Sequence, residues 1–264
     1  MFIYNLILML LATLIIASIT LVERKVLSLC QRRVGPFFVG YKGRLQYIAD
    51  ALKLLAKGYI IPAEVNQFWF ITAPAIALSI CFSFWINSVW GYNFSIFELE
   101  YNIVYAGLLS VIFNFCIVFA GYFSRNKFGF LSAIRACILT INLELLLGLL
   151  FLNLTLIGES FSFMTYLIYQ EFFWLFLFFF NTAALIIITF LLETNRAPFD
   201  LAEAESELVA GYSTEYGSFF FALFYLGEYF HLFFFSLIMV IFFFGGQSLP
   251  YFLFYFITKD WAIF

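Results

Sequence analysis

Residues 1–25 read MFIYNLILMLLATLIIASITLVERK, with no charged side chain before Glu23, Arg24 and Lys25 arrive together. An uncharged run of that length crosses the ~30 Å hydrocarbon layer of a bilayer as one helix. A cleaved secretory leader would open on basic residues, use a shorter apolar core and finish at small residues. An organelle import sequence would be amphipathic and rich in Arg and Ser. Neither pattern is present, so this helix is expected to stay in the mature protein.

The rest of the 264-residue chain repeats the theme. Hydrophobic residues make up 65 % and charged residues 11 %, against roughly a half and a quarter in soluble domains. A soluble fold cannot hide that much apolar surface, and intrinsic disorder needs the opposite composition. Cys30, Cys81, Cys116 and Cys137 are far apart, without the paired spacing of a disulfide frame or zinc site. Heavy use of Phe (41 residues) and Ile fits an AT-rich, organelle-encoded gene.

Uncharged or nearly uncharged stretches predict helices near 2–22, 68–90, 101–123, 137–157, 172–192 and 216–243. An apolar piece at 249–257 is too short to span. Pro74 lies inside the second span, where it bends a helix rather than ends it. Threading six spans alternately puts twelve of the thirteen basic residues on one side, in segments 23–67, 124–136 and 193–215. By the positive-inside rule that face is cytoplasmic in a bacterium or matrix-facing in a mitochondrion. The expected fold is therefore all-α: a polytopic transmembrane helix bundle of about six spans, one domain over 1–264, without evident repeats.

Two polar segments stand out. In the first, QRRVGPFFVGYKG (31–43) has Gly35, Pro36, Gly40 and Gly43, which argue for turns and close backbone packing. RLQYIADALKLLAK follows, with Leu45, Ile48, Ala49, Leu52, Leu55 and Ala56 at helical spacing opposite Gln46, Asp50, Lys53 and Lys57. Too short to span, it is expected to lie in the headgroup layer as an amphipathic interfacial helix. These bases either set topology and touch anionic lipid, or form a doorway for an amphipathic substrate entering from the bilayer.

The second is LLETNRAPFDLAEAESELVAGYSTEY, where Glu193, Asp200, Glu203, Glu205, Glu207 and Glu215 face a single base, Arg196. Crowded, partly desolvated carboxylates raise one another's pKa, so some of this loop accepts protons near neutral pH. A solvated acidic loop is the usual fate of such a run. Against that, Glu144 and Glu228 stand inside apolar spans, where a charge costs roughly 2.5–3.5 kcal/mol and faces a bundle interior or a water-filled path. Together these acids read as stepping stones for protons. His231, alone among aromatics, is expected to pack or hydrogen-bond rather than bind metal. There is no CxxC, clustered Cys, histidine pair or glycine fingerprint to hold an iron–sulfur cluster, haem, flavin or nicotinamide.

The segments ERKVLSLCQRRVGPFFVGYKGRLQYIADALKLLAK (23–57), ETNRAPFDLAEAESELVAGYSTEY (193–216) and GEY (227–229) closely resemble the subunit 1 family of respiratory NADH:ubiquinone oxidoreductase, complex I. The wider family includes membrane subunits of energy-converting hydrogenases. The resemblance implies an eight-helix subunit at the junction of the membrane and peripheral arms. That subunit encloses a ubiquinone tunnel with its soluble neighbours and starts the proton path towards antiporter-like subunits. On matching motifs, Glu23, Arg24, Arg33 and Asp50 belong to the tunnel mouth, and Arg196 and Phe224 line or border the cavity. Glu144, Glu193, Asp200, Glu203, Glu205, Glu207, Glu215 and Glu228 form the acidic funnel. The resemblance further implies ubiquinone as substrate, FMN and iron–sulfur clusters in partner subunits rather than in this chain, and no metal site. Implied partners are the peripheral-arm quinone-site subunits, the small membrane subunits and the antiporter-like subunits. The implied location is the mitochondrial inner membrane, multi-pass, with basic loops on the matrix side.

Several positions depart from the pattern: Phe37 replaces an Asn, Gly58 replaces a Glu, and Leu139-Thr140-Ile141-Asn142-Leu143-Glu144 keeps the carboxylate without its usual Gln, Ser and Tyr neighbours. Family members continue through two further helices with an Arg-rich segment between them, which a separate polypeptide is expected to supply. Competing readings are a hydrogenase-type relative that uses the acids without ubiquinone, a stand-alone proton-coupled transporter, which the lack of a repeat opposes, and a structural anchor.

Overall fold

The fold is given by a computed structural model that describes residues 2–87, 89–91, 94–95, 99–170, 174–195, 199 and 211–245. Helices dominate them: α1 (Phe2–Cys30), α2 (Gln46–Ala56), α3 (Gln67–Asn87), α4 (Asn102–Phe123), α5 (Lys127–Gly158), α6 (Phe163–Tyr169), α7 (Leu175–Phe178), α8 (Phe180–Glu193) and α9 (Ser218–Phe243). A short antiparallel ribbon, Val89–Gly91 with Phe94–Ser95, is the other regular pairing among the described residues. Helices α3, α4, α5 and α9 are long and apolar enough to cross a membrane. This is a polytopic helical bundle, as the composition requires. The piece at 249–257 lies outside the described residues.

Several boundaries differ from the hydropathy reading, and the helix expected over 68–90 ends at Asn87, with Val89 and Trp90 in the ribbon. Helix α1 does not stop at residue 22 but runs on to Cys30, carrying Glu23, Arg24 and Lys25 on its surface. The segment VERKVLSLC contains no Gly or Pro, and charged side chains at an exposed helix surface do not end a helix. It closes instead where Arg32 turns left-handed (φ 55°), with the Arg32 amide donating to Leu29 O and the Arg33 amide to Ser28 O, a Schellman closure. Helix α5 starts ten residues earlier than expected, at Lys127, because the Asn126 side chain caps it by accepting from the Phe128 amide at 3.2 Å.

The expected single span at 172–192 is divided. Phe179 (φ −118°, ψ 43°) interrupts the path between α7 and α8, and α8 alone has 14 residues, about 21 Å of helix. Five of the seven residues of WLFLFFF (174–180) are aromatic, and aromatic side chains lose rotamer freedom against the preceding turn. Pro74, by contrast, sits within α3 without ending it.

The chain divides into two compact units, the first made of Met1–Phe82, Phe115–Ala136 and Leu201–Phe230, the second of Ser83–Asn114, Cys137–Asp200 and His231–Phe264. Eleven of the thirteen basic residues belong to the first. Its core stacks Phe70 on Tyr216, ring centroids 4.2 Å apart, with Phe224 edge-on to Tyr212 and Tyr216. Small residues bring α4 against α5: a Cβ on Gly121 would stand 2.6 Å from Gly129 O and 2.7 Å from Ala133 Cβ. The loop after α1 folds tightly, since a Cβ on Gly43 (φ 74°) would meet Pro36 O at 2.1 Å.

In the second unit, His231 is 1 % exposed and ringed by Phe84, Phe113 and Phe235 at 5.2, 4.9 and 4.5 Å. It packs among aromatics, as expected. Gln170 Nε2 donates to Ile241 O and Phe242 O at 2.8 and 2.9 Å. It thereby satisfies carbonyls that the last turn of α9 leaves open.

Candidate functional site

The first unit gathers a polar network where α1, α2 and the start of α9 meet. Arg24 forms an ion pair with Asp50, whose other oxygen accepts from Gln46 Nε2 at 2.9 Å. Spacing explains the second contact, because Gln46 and Asp50 are one turn apart on α2. Glu23 accepts from the Tyr229 hydroxyl, which bonds the Tyr225 hydroxyl at 3.0 Å. The Tyr225 hydroxyl is also close enough to Arg24 to interact with it electrostatically. Three of the four tunnel-mouth residues expected from sequence thus share one network. Arg33 does not join it: exposed, it donates Nε to Gln31 Oε1 at 2.7 Å. Beyond the uncharged span, Lys25 Nζ donates to Lys42 O at 2.8 Å. Burial, ahead of the neighbouring Arg44 and Lys42 charges, lowers the Lys25 pKa.

From the polar stripe of α2 Asp50 reaches α1, while Leu45 just before the helix and Ile48, Leu52 and Leu55 on it stay 40–60 % exposed. The apolar side is left for lipid or another chain, not for this bundle.

Two more acids of the first unit take neutral donors. Glu215 accepts from Asn126 Nδ2 at 2.9 Å, so the residue that caps α5 also holds this carboxylate. Glu228 accepts from the Tyr212 hydroxyl. Phe224, expected to border a cavity, is 1 % exposed between aromatic rings. Arg196, Asp200, Glu203, Glu205 and Glu207 lie outside the described residues.

The second unit holds the remaining two acids. Glu193, counted with the loop in the sequence reading, is the last residue of α8 and 2 % exposed. Its Oε1 accepts from Asn114 Nδ2 on α4, while its Oε2 and Asn114 Oδ1 have no hydrogen-bond partner among the described residues. An unsatisfied buried acceptor costs about 1–3 kcal/mol. Glu144 is near enough for the two carboxyls to interact electrostatically. It lines a cavity of about 330 Å³ between α4 and α5, with Ser110, Phe151 and Thr155, and with Gly107 and Gly148, where an added Cβ would meet nothing within 4 Å.

Sequence reasoning missed Asn114, Asn126, Tyr212, Tyr225 and Tyr229. Asn114 carried a faint signal as an amide inside an apolar 22-residue helix. Tyr212 and Tyr229 lay within the quoted motifs 193–216 and 227–229 without being given a role, and Tyr225, one tyrosine among 16, carried no signal. Among the described residues no three His, Cys, Asp or Glu side chains cluster as a metal site would require.

A family model described as NADH dehydrogenase matches residues 3–264. NADH-ubiquinone oxidoreductase chain 1 of Paramecium tetraurelia is 61 % identical over 249 residues, 94 % of this chain and 95 % of that protein. The chain 1 protein of Chondrus crispus is 37 % identical, covering 89 % of this chain and 72 % of its own length. An NADH-quinone oxidoreductase subunit from Vesicomyosocius okutanii subsp. Calyptogena okutanii is 36 % identical, covering 90 % and 68 % respectively.

Proposed function

This chain belongs to the NADH dehydrogenase family, with chain 1 proteins of complex I among its relatives, and from that premise we propose how its residues serve the enzyme. It is a multi-pass membrane subunit of complex I, and other complex I subunits are its partners. In our reading it lies in the mitochondrial inner membrane with its basic segments on the matrix side. With peripheral-arm partners it forms the path by which ubiquinone reaches its electron donor. FMN and iron–sulfur clusters in those partners supply the electrons. Small membrane subunits and antiporter-like subunits receive the coupling.

One observation carries this reading: Glu193 and Glu215 accept hydrogen bonds from neutral amide side chains, Asn114 and Asn126 respectively. A neutral donor stays bonded whether the carboxyl is charged or protonated, whereas a cationic partner favours the charged form. Acids held this way can take up and release protons. The Arg24–Asp50 pair with its tyrosine hydroxyls supplies polar contacts for a quinone head, and the apolar stripe of α2 supports entry from the bilayer.

Replacing Glu193 or Glu228 by Gln in the assembled enzyme is expected to lower ubiquinone reductase turnover and proton pumping severalfold, while NADH oxidation by artificial acceptors persists. Unchanged pumping in both variants would refute the proton role.

A further inference from the structure

Asn114 lies on α4 and Glu193 ends α8, 79 residues apart in sequence, and both side chains are 2 % exposed. Their single contact runs from Nδ2 to Oε1. Among the described residues each group then keeps one oxygen without a donor, Oδ1 on the amide and Oε2 on the carboxyl. Such orphans are uncommon, because buried polar groups nearly always find partners. Here the two belong to groups already joined by one hydrogen bond. An amide and a carboxylic acid pair at two points: the amide N–H donates to the acid carbonyl, and the acid O–H donates to the amide oxygen. In that pairing a single proton on Oε2 satisfies both orphaned oxygens at once.

We propose that Asn114 is the positioning residue of Glu193, donating Nδ2–H to Oε1 throughout and receiving Oε2–H at Oδ1 whenever Glu193 carries a proton. The only bond made or broken is O–H on Oε2. The proton arrives from and returns to the route that serves Glu193, and the amide keeps its own hydrogens. Glu144 is the other acid that acts on this carboxyl, and its charge opposes a second negative charge at Glu193. The proposal rests on the proton role given to Glu193 above, but the pairing has its own readout.

In the assembled enzyme, reduction-induced infrared difference spectra are recorded in the carboxylic C=O region. Glu193→Gln identifies the Glu193 band by its loss. Asn114→Leu, with the same branching but without donor or acceptor, is expected to move that band to the frequency of an acid lacking hydrogen bonds. Asn114→Ser, which is smaller and keeps one hydroxyl, moves it part of the way and serves if the Leu variant does not assemble. A band that stays in place in these variants overturns the pairing, as does the absence of any band lost in Glu193→Gln. A moved band together with normal pumping in Glu193→Gln upholds the pairing and instead overturns the proton role.

Discussion

A carboxyl inside an apolar protein is defined by what donates to it. The Tyr212 hydroxyl donates to Glu228 and Tyr229 to Glu23, and hydrogen bonds to a charged group contribute about 1.5–3 kcal/mol. Tyr212→Phe removes one such donor and no carbon. It is expected to lower proton pumping about tenfold, on the scale of ~1.4 kcal/mol per decade, with acceptor-dependent NADH oxidation unchanged. Tyr229→Phe is expected to act instead on the KM for ubiquinone, because Glu23 and Arg24 share one network with the Tyr225 hydroxyl. A steady-state titration with short-chain quinone separates the two outcomes. Asn126 serves twice, as cap of α5 and donor to Glu215. Asn126→Ala should therefore destabilise by about 1 kcal/mol through the lost cap alone, read as a lower unfolding temperature of the complex.

At the scale of elements, the approach of α4 to α5 gives a paired prediction. Gly121→Leu places carbon where Gly129 O and Ala133 Cβ stand and is expected to prevent assembly, seen as loss of the intact complex on a native gel. Gly148→Ala, into open space beside Glu144, should be tolerated and favour helix by up to about 1 kcal/mol. Most elements were legible in the sequence because uncharged runs of helical length have few other destinations than a bilayer. Helix ends were less so. Hydropathy marks where charge begins, but α1 ends only at the left-handed Arg32 and α5 starts where the Asn126 side chain turns onto a backbone amide, both local conformational events. The break at Phe179 also escaped, since neither Pro nor Gly marks it. In the site, residue types revealed the acids at Glu23, Glu193, Glu215 and Glu228, but their neutral partners Tyr229, Asn114, Asn126 and Tyr212 come from other parts of the chain, which only folding brings near.

For the whole molecule, the testable property is sidedness. Gly58 follows α2, where an added side chain meets nothing within 4 Å, and belongs to the unit holding eleven of the thirteen bases. Gly58→Cys is expected to react with an impermeant maleimide in inside-out vesicles and not in mitoplasts. The reverse pattern would invert the assigned topology.

Helix α2 is tethered to α1 by Arg24–Asp50, whose side chains are 49 % and 34 % exposed, and such ion pairs contribute only about 0–1 kcal/mol. Its four uncovered aliphatic side chains would gain on the order of 1 kcal/mol each from an oily surrounding. The balance makes this helix a buoy, moored lightly and kept at its level by the membrane itself. Detergent extraction that strips the annular phospholipid should then unseat the buoy and silence the quinone reaction, and adding phospholipid back should restore it without any change in the protein.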